Sequence, residues 1–318
     1  MSARLVALTG ATGFLGRHTA LALAEKGFRL RILARRDPAH PLWRDLPFEA
    51  VEGGLENAGV LARLLTGADV AVHLAGLVAA RSRRAFLAVN RDGAARVAET
   101  LRRVSPQAHL IGVSSLAARE PALSAYAESK RAGEVAMAEA FAGGRLTILR
   151  PPAVYGPWDR AMLGLFRAAA RPVVPVPGCA RARITLIHVH DAAAAIAALA
   201  DQDAASAGAT YALADPNPAG YAPREILATA AAAQGNIPRF VPLPAGVLLA
   251  AGGAASLWTW LGGRPGVFSV GKAREVLHPD WSVSPGELLP GATARPAIGL
   301  AAGFAAAVAW YREAGWLR

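Results

Sequence analysis

The chain has 318 residues, 53% hydrophobic and 18% charged, enough apolar sequence for a large core in one or two domains and too much for a fibrous or disordered protein. Its 34 Lys and Arg against 23 Asp and Glu leave a net charge of +11, which favours anionic partners such as a phosphate-bearing cofactor, an acidic membrane surface or nucleic acid. A genome that writes Arg for Lys produces the same excess with no partner at all. The single Cys179 allows no internal disulfide framework and no cysteine-rich zinc site, so a reducing compartment, the cytoplasm, is expected. Met1-Ser2-Ala3-Arg4 runs directly into an apolar strand, and no export signal is expected.

Leu5 to Leu8 reads as a first strand, followed by Thr9-Gly10-Ala11-Thr12-Gly13-Phe14-Leu15-Gly16 and a helix from Arg17 to Lys26. Further strands are predicted at Leu30 to Ala34, Val70 to Ala75, Leu110 to Val113 and Leu146 to Leu149, with helical patterns between them. Such alternation predicts an α/β fold of the Rossmann type, a doubly wound parallel sheet. After Pro151 the alternation loosens, returning once at Ile184 to Val189 and Asp191 to Ala200. The expected division is a dinucleotide-binding domain over 1–152 that regains 184–200. A smaller substrate-binding region over 153–183 and 201–318 ends in a closing helix.

Phe240 to Gly263 contains no charged residue. Its prolines and glycines argue against a membrane span and predict two short helices broken at Gly252-Gly253, forming ordinary core or an interfacial or substrate-lining hairpin.

Gly10, Gly13 and Gly16, three apart between a strand and a helix, suit a tight turn, close approach of backbone to a pyrophosphate and close helix packing, with the phosphate on the helix N-terminus. The alternative is a packing turn without a ligand. At the end of the second strand, where NAD binders place a carboxylate on the ribose, stand Ala34-Arg35-Arg36. Two guanidiniums match a 2′-phosphate, which favours NADP(H) with NAD(H) as the alternative, unless the arginines are merely solvated.

Tyr126 and Lys130, four apart on a predicted helix, share one face, where the ammonium is expected to lower the phenol pKa from ~10. Ser114-Ser115 follows a strand at the carboxyl edge of the sheet, where a hydroxyl can bond a substrate carbonyl oxygen. Each feature alone has a bland reading, a surface pair or a strand terminus; their order after the glycine turn points to a reductase site.

These residues, together with His73-Leu74-Ala75-Gly76, Val89-Asn90, Arg150-Pro151-Pro152-Ala153-Val154-Tyr155-Gly156-Pro157, Ile187-His188-Val189-His190-Asp191 and the tail Ala309 to Leu317, resemble the extended short-chain dehydrogenase/reductase family, also called the NAD-dependent epimerase/dehydratase family. The resemblance implies that Tyr126 donates or accepts the proton, that Lys130 lowers its pKa and holds the nicotinamide ribose, and that Ser115 rather than Ser114 polarises the substrate. It makes Asn90 the asparagine of a proton relay through the helix backbone. The cofactor is expected against Gly10, Thr12, Gly13, Phe14, Leu15, Gly16, Arg35, Arg36, Leu55, Leu74, Ala75, Gly76, Tyr126, Lys130, Pro152, Ala153 and Val154. His73, His188 and His190 read as structural, and no metal is expected.

Two departures stand out. Gly53-Gly54-Leu55 replaces the family's Gly-Asp-Leu and leaves the adenine a backbone contact only, and ten residues between Ser115 and Tyr126 shorten one wall of the pocket. An open mouth, the uncharged stretch, the arginine excess and the 2′-phosphate signature together predict an NADPH-dependent ketoreductase of a lipid, resembling bacterial reductases of sphingolipid synthesis that act on 3-oxo-sphinganine or its N-acyl, ceramide, form. A nucleotide-sugar epimerase, dehydratase or reductase, with Arg181 and Arg183 on a diphosphate, and a non-catalytic protein with structural NADPH are the alternatives. Peripheral contact with the anionic inner membrane surface and a homodimer are further expectations. Nucleic acid is rejected for want of aromatic and basic interleaving.

Overall fold

In the computed structural model, which describes residues 3–178, 181–202, 208–291 and 293–317, the predicted alternation is laid out in full. Cys179 lies outside these residues. The first half runs β1 (Leu5–Thr9), α1 (Phe14–Glu25), β2 (Arg29–Ala34), β3 (Glu49–Glu52), α2 (Ala58–Leu65), β4 (Val70–His73), α3 (Arg83–Asn90), α4 (Asp92–Val104), β5 (His109–Val113), α5 (Ala125–Ala140) and β6 (Arg145–Arg150). The second half adds β7 (Ala153–Tyr155), α6 (Leu163–Ala169), β8 (Val173–Pro177), β9 (Arg183–Ile184), β10 (Leu186–His188), α7 (Val189–Asp201), β11 (Ala209–Ala212), α8 (Pro223–Ala232), β12 (Arg239–Leu243), α9 (Ala245–Trp260), α10 (Val270–Leu277), β13 (Asp280–Trp281) and α11 (Leu300–Glu313).

Seven strands form one parallel sheet in the order β11-β6-β5-β4-β1-β2-β3. The order turns back between β1 and β4, which opens a crevice at their carboxyl ends, the place where such sheets bind ligands. The short apolar runs form these strands because both faces are covered. Along β1, Val6 and Leu8 enter the core under α1 and α7, while Ala7 enters the core under α2, α4 and α5. β4 repeats the pattern with Val70 and Val72 on one side and Ala71 on the other. Leu8, Leu23, Leu61 and Leu64 are fully buried, each worth ~2 kcal/mol of apolar transfer.

The edge strand β11 comes from a segment expected to belong mainly to the substrate region. The expected single strand from Ile184 to Val189 is split: Ile184 pairs with Trp281 of β13, Leu186 to His188 pair with β7, and α7 begins at Val189. A third core joins Tyr155, Phe166, Phe304 and Tyr311, so that α11 closes the fold by packing on α8 and β7.

The two short helices expected around Gly252-Gly253 are instead one continuous helix, α9. Gly252 does not break it because its missing side chain is used in packing: a Cβ there would lie 2.8 Å from the Ser269 carbonyl oxygen, at the start of α10. Among the described residues no helix is long and apolar enough to cross a membrane.

Candidate active site

The glycine turn is fixed by what surrounds it. Gly10 has φ +72°, and a Cβ there would lie 2.4 Å from the Ala75 nitrogen, so the β1 turn and the Leu74-Ala75 segment after β4 touch backbone to backbone. Leu74 N donates to Thr9 O at 3.0 Å and Ala75 N to Thr9 Oγ1 at 3.4 Å. A Cβ on Gly16 would sit 2.2 Å from Gly10 O, which seats α1 directly on the turn. Gly13 caps α1 without any side-chain acceptor, leaving the first helical N–H groups bare around Phe14 and Leu15.

The carboxyl edge continues from this turn past the loop after β4. Beside Gly76, a Cβ would approach Asn90 Oδ1 at 3.1 Å and Lys130 Nζ at 3.6 Å. Asn90 is buried: its Oδ1 accepts from Leu77 N at 2.7 Å, and its Nδ2 donates to Leu77 O at 3.0 Å and Ser129 Oγ at 2.9 Å. Its carbonyl oxygen faces Gly133 of α5, where a Cβ would come within 2.2 Å. Asn90 therefore ties the loop after β4 to the helix that carries Tyr126 and Lys130.

That helix starts where it does because Ser124 caps it, accepting from Ala127 N at 2.9 Å. Tyr126 and Lys130 follow on one face. Lys130 Nζ donates to the Val113 carbonyl at 2.9 Å, and burial lowers its pKa to about 8 against the opposing charge of Glu134. Tyr126, half-buried and edge-on to Phe86 with ring centroids 6.1 Å apart, has its phenol pushed up to about 12 by burial; a hydrogen bond with Ser115 opposes the rise and the Glu275 charge adds to it. The expected lowering by Lys130 is not among these contributions, the ammonium being turned to the Val113 carbonyl.

Ser114 and Ser115 separate cleanly. Ser114 Oγ donates to Glu134 Oε1 at 2.5 Å, inside a buried network in which Arg150 grips the same carboxylate through Nε at 2.8 Å and Nη2 at 2.6 Å. Ser115 is left to the phenol, its hydroxyl otherwise accepting from Ala117 N at 3.2 Å. The ten residues before Tyr126 form two short 3-10 turns, Leu116–Arg119 and Pro121–Leu123, held by Arg119 donating to the Ser282 and Asp280 carbonyls at 2.7 and 2.8 Å.

Arg35 and Arg36 leave the end of β2 exposed, without an ion pair to any described residue. Leu55, beyond β3, packs on Gly93, and its carbonyl receives Arg96 Nε at 2.9 Å. Pro152 is buried, whereas Ala153 is exposed and Val154 half-buried at the head of β7. His73 Nδ1 bonds Thr9 Oγ1 at 2.7 Å and is neutral, its pKa lowered to about 3 by burial and the Lys130 charge. His188 is buried with its Nε2 unpartnered, and His190 is exposed. Arg183 Nη1 donates to the Ala182 carbonyl at 3.0 Å, and Arg181 and Arg183 line one cavity together with Pro218, Asp280 and Pro285. Among the described residues no cluster of metal-ligating side chains is formed.

Three features fit a dinucleotide: a turn in which Gly10 and Gly16 admit no Cβ, uncapped helix N–H groups beside it, and a buried lysine on the same carboxyl edge beside Gly76. Arg17, the first residue after the turn, adds a buried and unpartnered Nε. Sequence reasoning passed over Arg17, Glu134 and Glu275. Glu134 was within reach, since it lies four residues beyond Lys130 on the same helix face; Glu275, from a distant segment, had no such signal.

Residues 6–214 match the NAD dependent epimerase/dehydratase family. The chain belongs to that family. Ceramide reductase of Caulobacter vibrioides is 48% identical over 314 residues, spanning 98% of this chain and 96% of the relative. A 4-hydroxy-2-methyl-3-oxo-4-farnesyl-3,4-dihydroquinoline-1-oxide ketoreductase of Stigmatella aurantiaca is 29% identical over 49% of this chain and 52% of its own. In fold, the chain matches DesIV, a dTDP-glucose 4,6-dehydratase of Streptomyces venezuelae solved with NAD, at a TM-score of 0.73, 21% identity and 98% coverage of both chains. Membership of this family makes the coarse assignment an NAD(P)-dependent oxidoreductase.

Proposed function

We propose that the protein is an NADPH-dependent ketoreductase that reduces the 3-oxo group of a long-chain lipid, a ceramide or its sphingoid precursor. The observation that carries the reaction is the placement of the Tyr126 phenol beside Ser115 and one helical turn from Lys130 at the carboxyl edge of the sheet: a phenol there is protonated at neutral pH, a competent acid for a ketone and a poor base for an alcohol. The substrate class rests on the near full-length likeness to a protein named ceramide reductase.

Bound NADPH supplies the hydride to the carbonyl carbon. Gly10, Gly13 and Gly16 with the bare N–H groups of α1 hold the pyrophosphate, and Arg35 and Arg36, which have no partner among the described residues, take the 2′-phosphate through charge-assisted bonds. Lys130 holds the nicotinamide ribose. Ser115 and Tyr126 hydrogen-bond the carbonyl oxygen, and as that oxygen gains negative charge the phenolic proton passes to it, leaving an alcohol and a phenolate that solvent reprotonates. Asn90 positions the helix through Ser129. The test is NADPH oxidation by purified protein with 3-oxo lipid in mixed micelles; absence of turnover alongside NADPH binding would remove this reading.

A further inference from the structure

α9 is built inside out. Its buried side carries Gly252, against Ser269 and Val270, and Ser256, whose hydroxyl donates to Gly252 O at 2.9 Å and accepts from Val270 N at 3.0 Å. Its large apolar side chains point to solvent: Val247 is 55% exposed, Leu257 55%, Trp258 67%, Trp260 77% and Leu261 66%. At about 100° per residue Val247, Leu257, Trp258 and Leu261 stand on the side opposite Gly252 and Ser256, while Leu248 and Leu249 are half-buried; an exposed apolar stripe on the side turned away from the rest of the fold marks an interaction surface.

We propose that this face docks on an anionic lipid bilayer, which deepens the proposed function by naming the phase from which the lipid is taken. Three observations select a bilayer over a protein partner. The exposed stripe sets the Trp258 indole among Val247, Leu257 and Leu261, with the Trp260 indole exposed beside it at the helix end, the combination that settles at the boundary between headgroups and acyl chains. The rim is cationic: Arg81 Nη2 reaches the Gly262 carbonyl at 3.4 Å, and Arg264, just beyond the end of α9, is exposed and forms no ion pair with any described residue. From Phe240 to Gly263 no acid interrupts the face.

The patch is also connected to the chemistry. α9 packs on α10, and α10 packs on Ser124: a Cβ on Gly271 would lie 2.7 Å from Ser124 Cβ, two residues before Tyr126. α9 itself is too short to cross the bilayer, so it lies on the surface.

The test is sedimentation of the full-length protein with vesicles of phosphatidylglycerol and phosphatidylcholine and with phosphatidylcholine alone. The protein sediments with the anionic vesicles and less as salt rises; Trp258→Ser/Trp260→Ser, which leaves the net charge unchanged, lowers the partition about tenfold, and Arg81→Glu/Arg264→Glu does likewise. Both pairs are exposed, so thermal melting and NADPH binding remain those of the parent. Vesicle binding that survives the tryptophan changes would be attraction of a basic protein to any anionic surface, and overturns the proposal. So does self-association through the patch without vesicle binding. Sedimentation requires no turnover, so a failed ketoreductase assay leaves this result readable on its own.

Discussion

Ser124, which caps the helix bearing Tyr126, donates its hydroxyl proton to the buried carboxylate of Glu275 at 2.5 Å. Glu275 also holds Lys272 Nζ at 2.9 Å, so one side chain from α10 both positions the start of α5 and sets a negative charge near the phenol. Removing that charge while keeping the hydrogen bond, in Glu275→Gln, is expected to lower the phenol pKa, since the carboxylate disfavours phenolate. The alkaline limb of the kcat profile for reduction should move to lower pH, with the protein still folded. An unshifted limb would mean that Glu275 acts only as a clamp.

Lys130 supplies a second pH dependence. Burial depresses its ammonium to about 8, so the charged form dominates below that value and is lost as pH rises through it. If the charge holds the cofactor ribose, KM for NADPH rises above about pH 8 while kcat, which depends on a phenol titrating near 12, changes later. Lys130→Met should remove the first transition and leave KM high at every pH; a profile unchanged in the variant would contradict the assignment.

Glu134 is buried under Arg150, Arg131 and Ser114. Glu134→Ala leaves the half-buried Arg150 guanidinium without its carboxylate, a loss of about 3–5 kcal/mol, visible as a large fall in the urea midpoint. Replacing both, Glu134→Leu with Arg150→Met, should recover most of that stability, because the pair is costly chiefly when halved. Equal destabilisation in the single and double variants would show that the network acts through Ser114 alone.

Arg35→Asp places a carboxylate where the 2′-phosphate is expected. Loss of a charge-assisted bond, ~1.5–3 kcal/mol, lowers preference for NADPH over NADH by roughly ten- to hundredfold. Titration of both cofactors against the variant measures it directly. An unchanged ratio would point to Arg36 or Arg17 as the group that reads the phosphate.

Much of the site was legible in the sequence because the chemistry is local. Gly10, Gly13 and Gly16 announce the turn by spacing, and Tyr126 and Lys130 share a helix face whatever the rest of the chain does. What was hidden depends on tertiary neighbours. The rise of the phenol pKa comes from burial and from Glu275, about 150 residues downstream, a pairing no helical or strand period encodes. The continuity of α9 through Gly252-Gly253 was misjudged for the same reason. Propensity alone favours a break there, and the contact with Ser269 that outweighs it is made between two helices. The edge position of β11 likewise follows from pairing with β6 rather than from its own four residues.

The central claim is that Tyr126 gives its proton to a lipid ketone. Tyr126→Phe removes the hydroxyl and leaves the glycine cradle, Lys130 and Arg35 untouched. The decisive measurement is therefore NADPH oxidation on 3-oxo lipid in mixed micelles, with NADPH binding followed in parallel. Loss of turnover by ~10²-fold or more with binding retained is the predicted result; a Phe variant that turns over like the parent would contradict it.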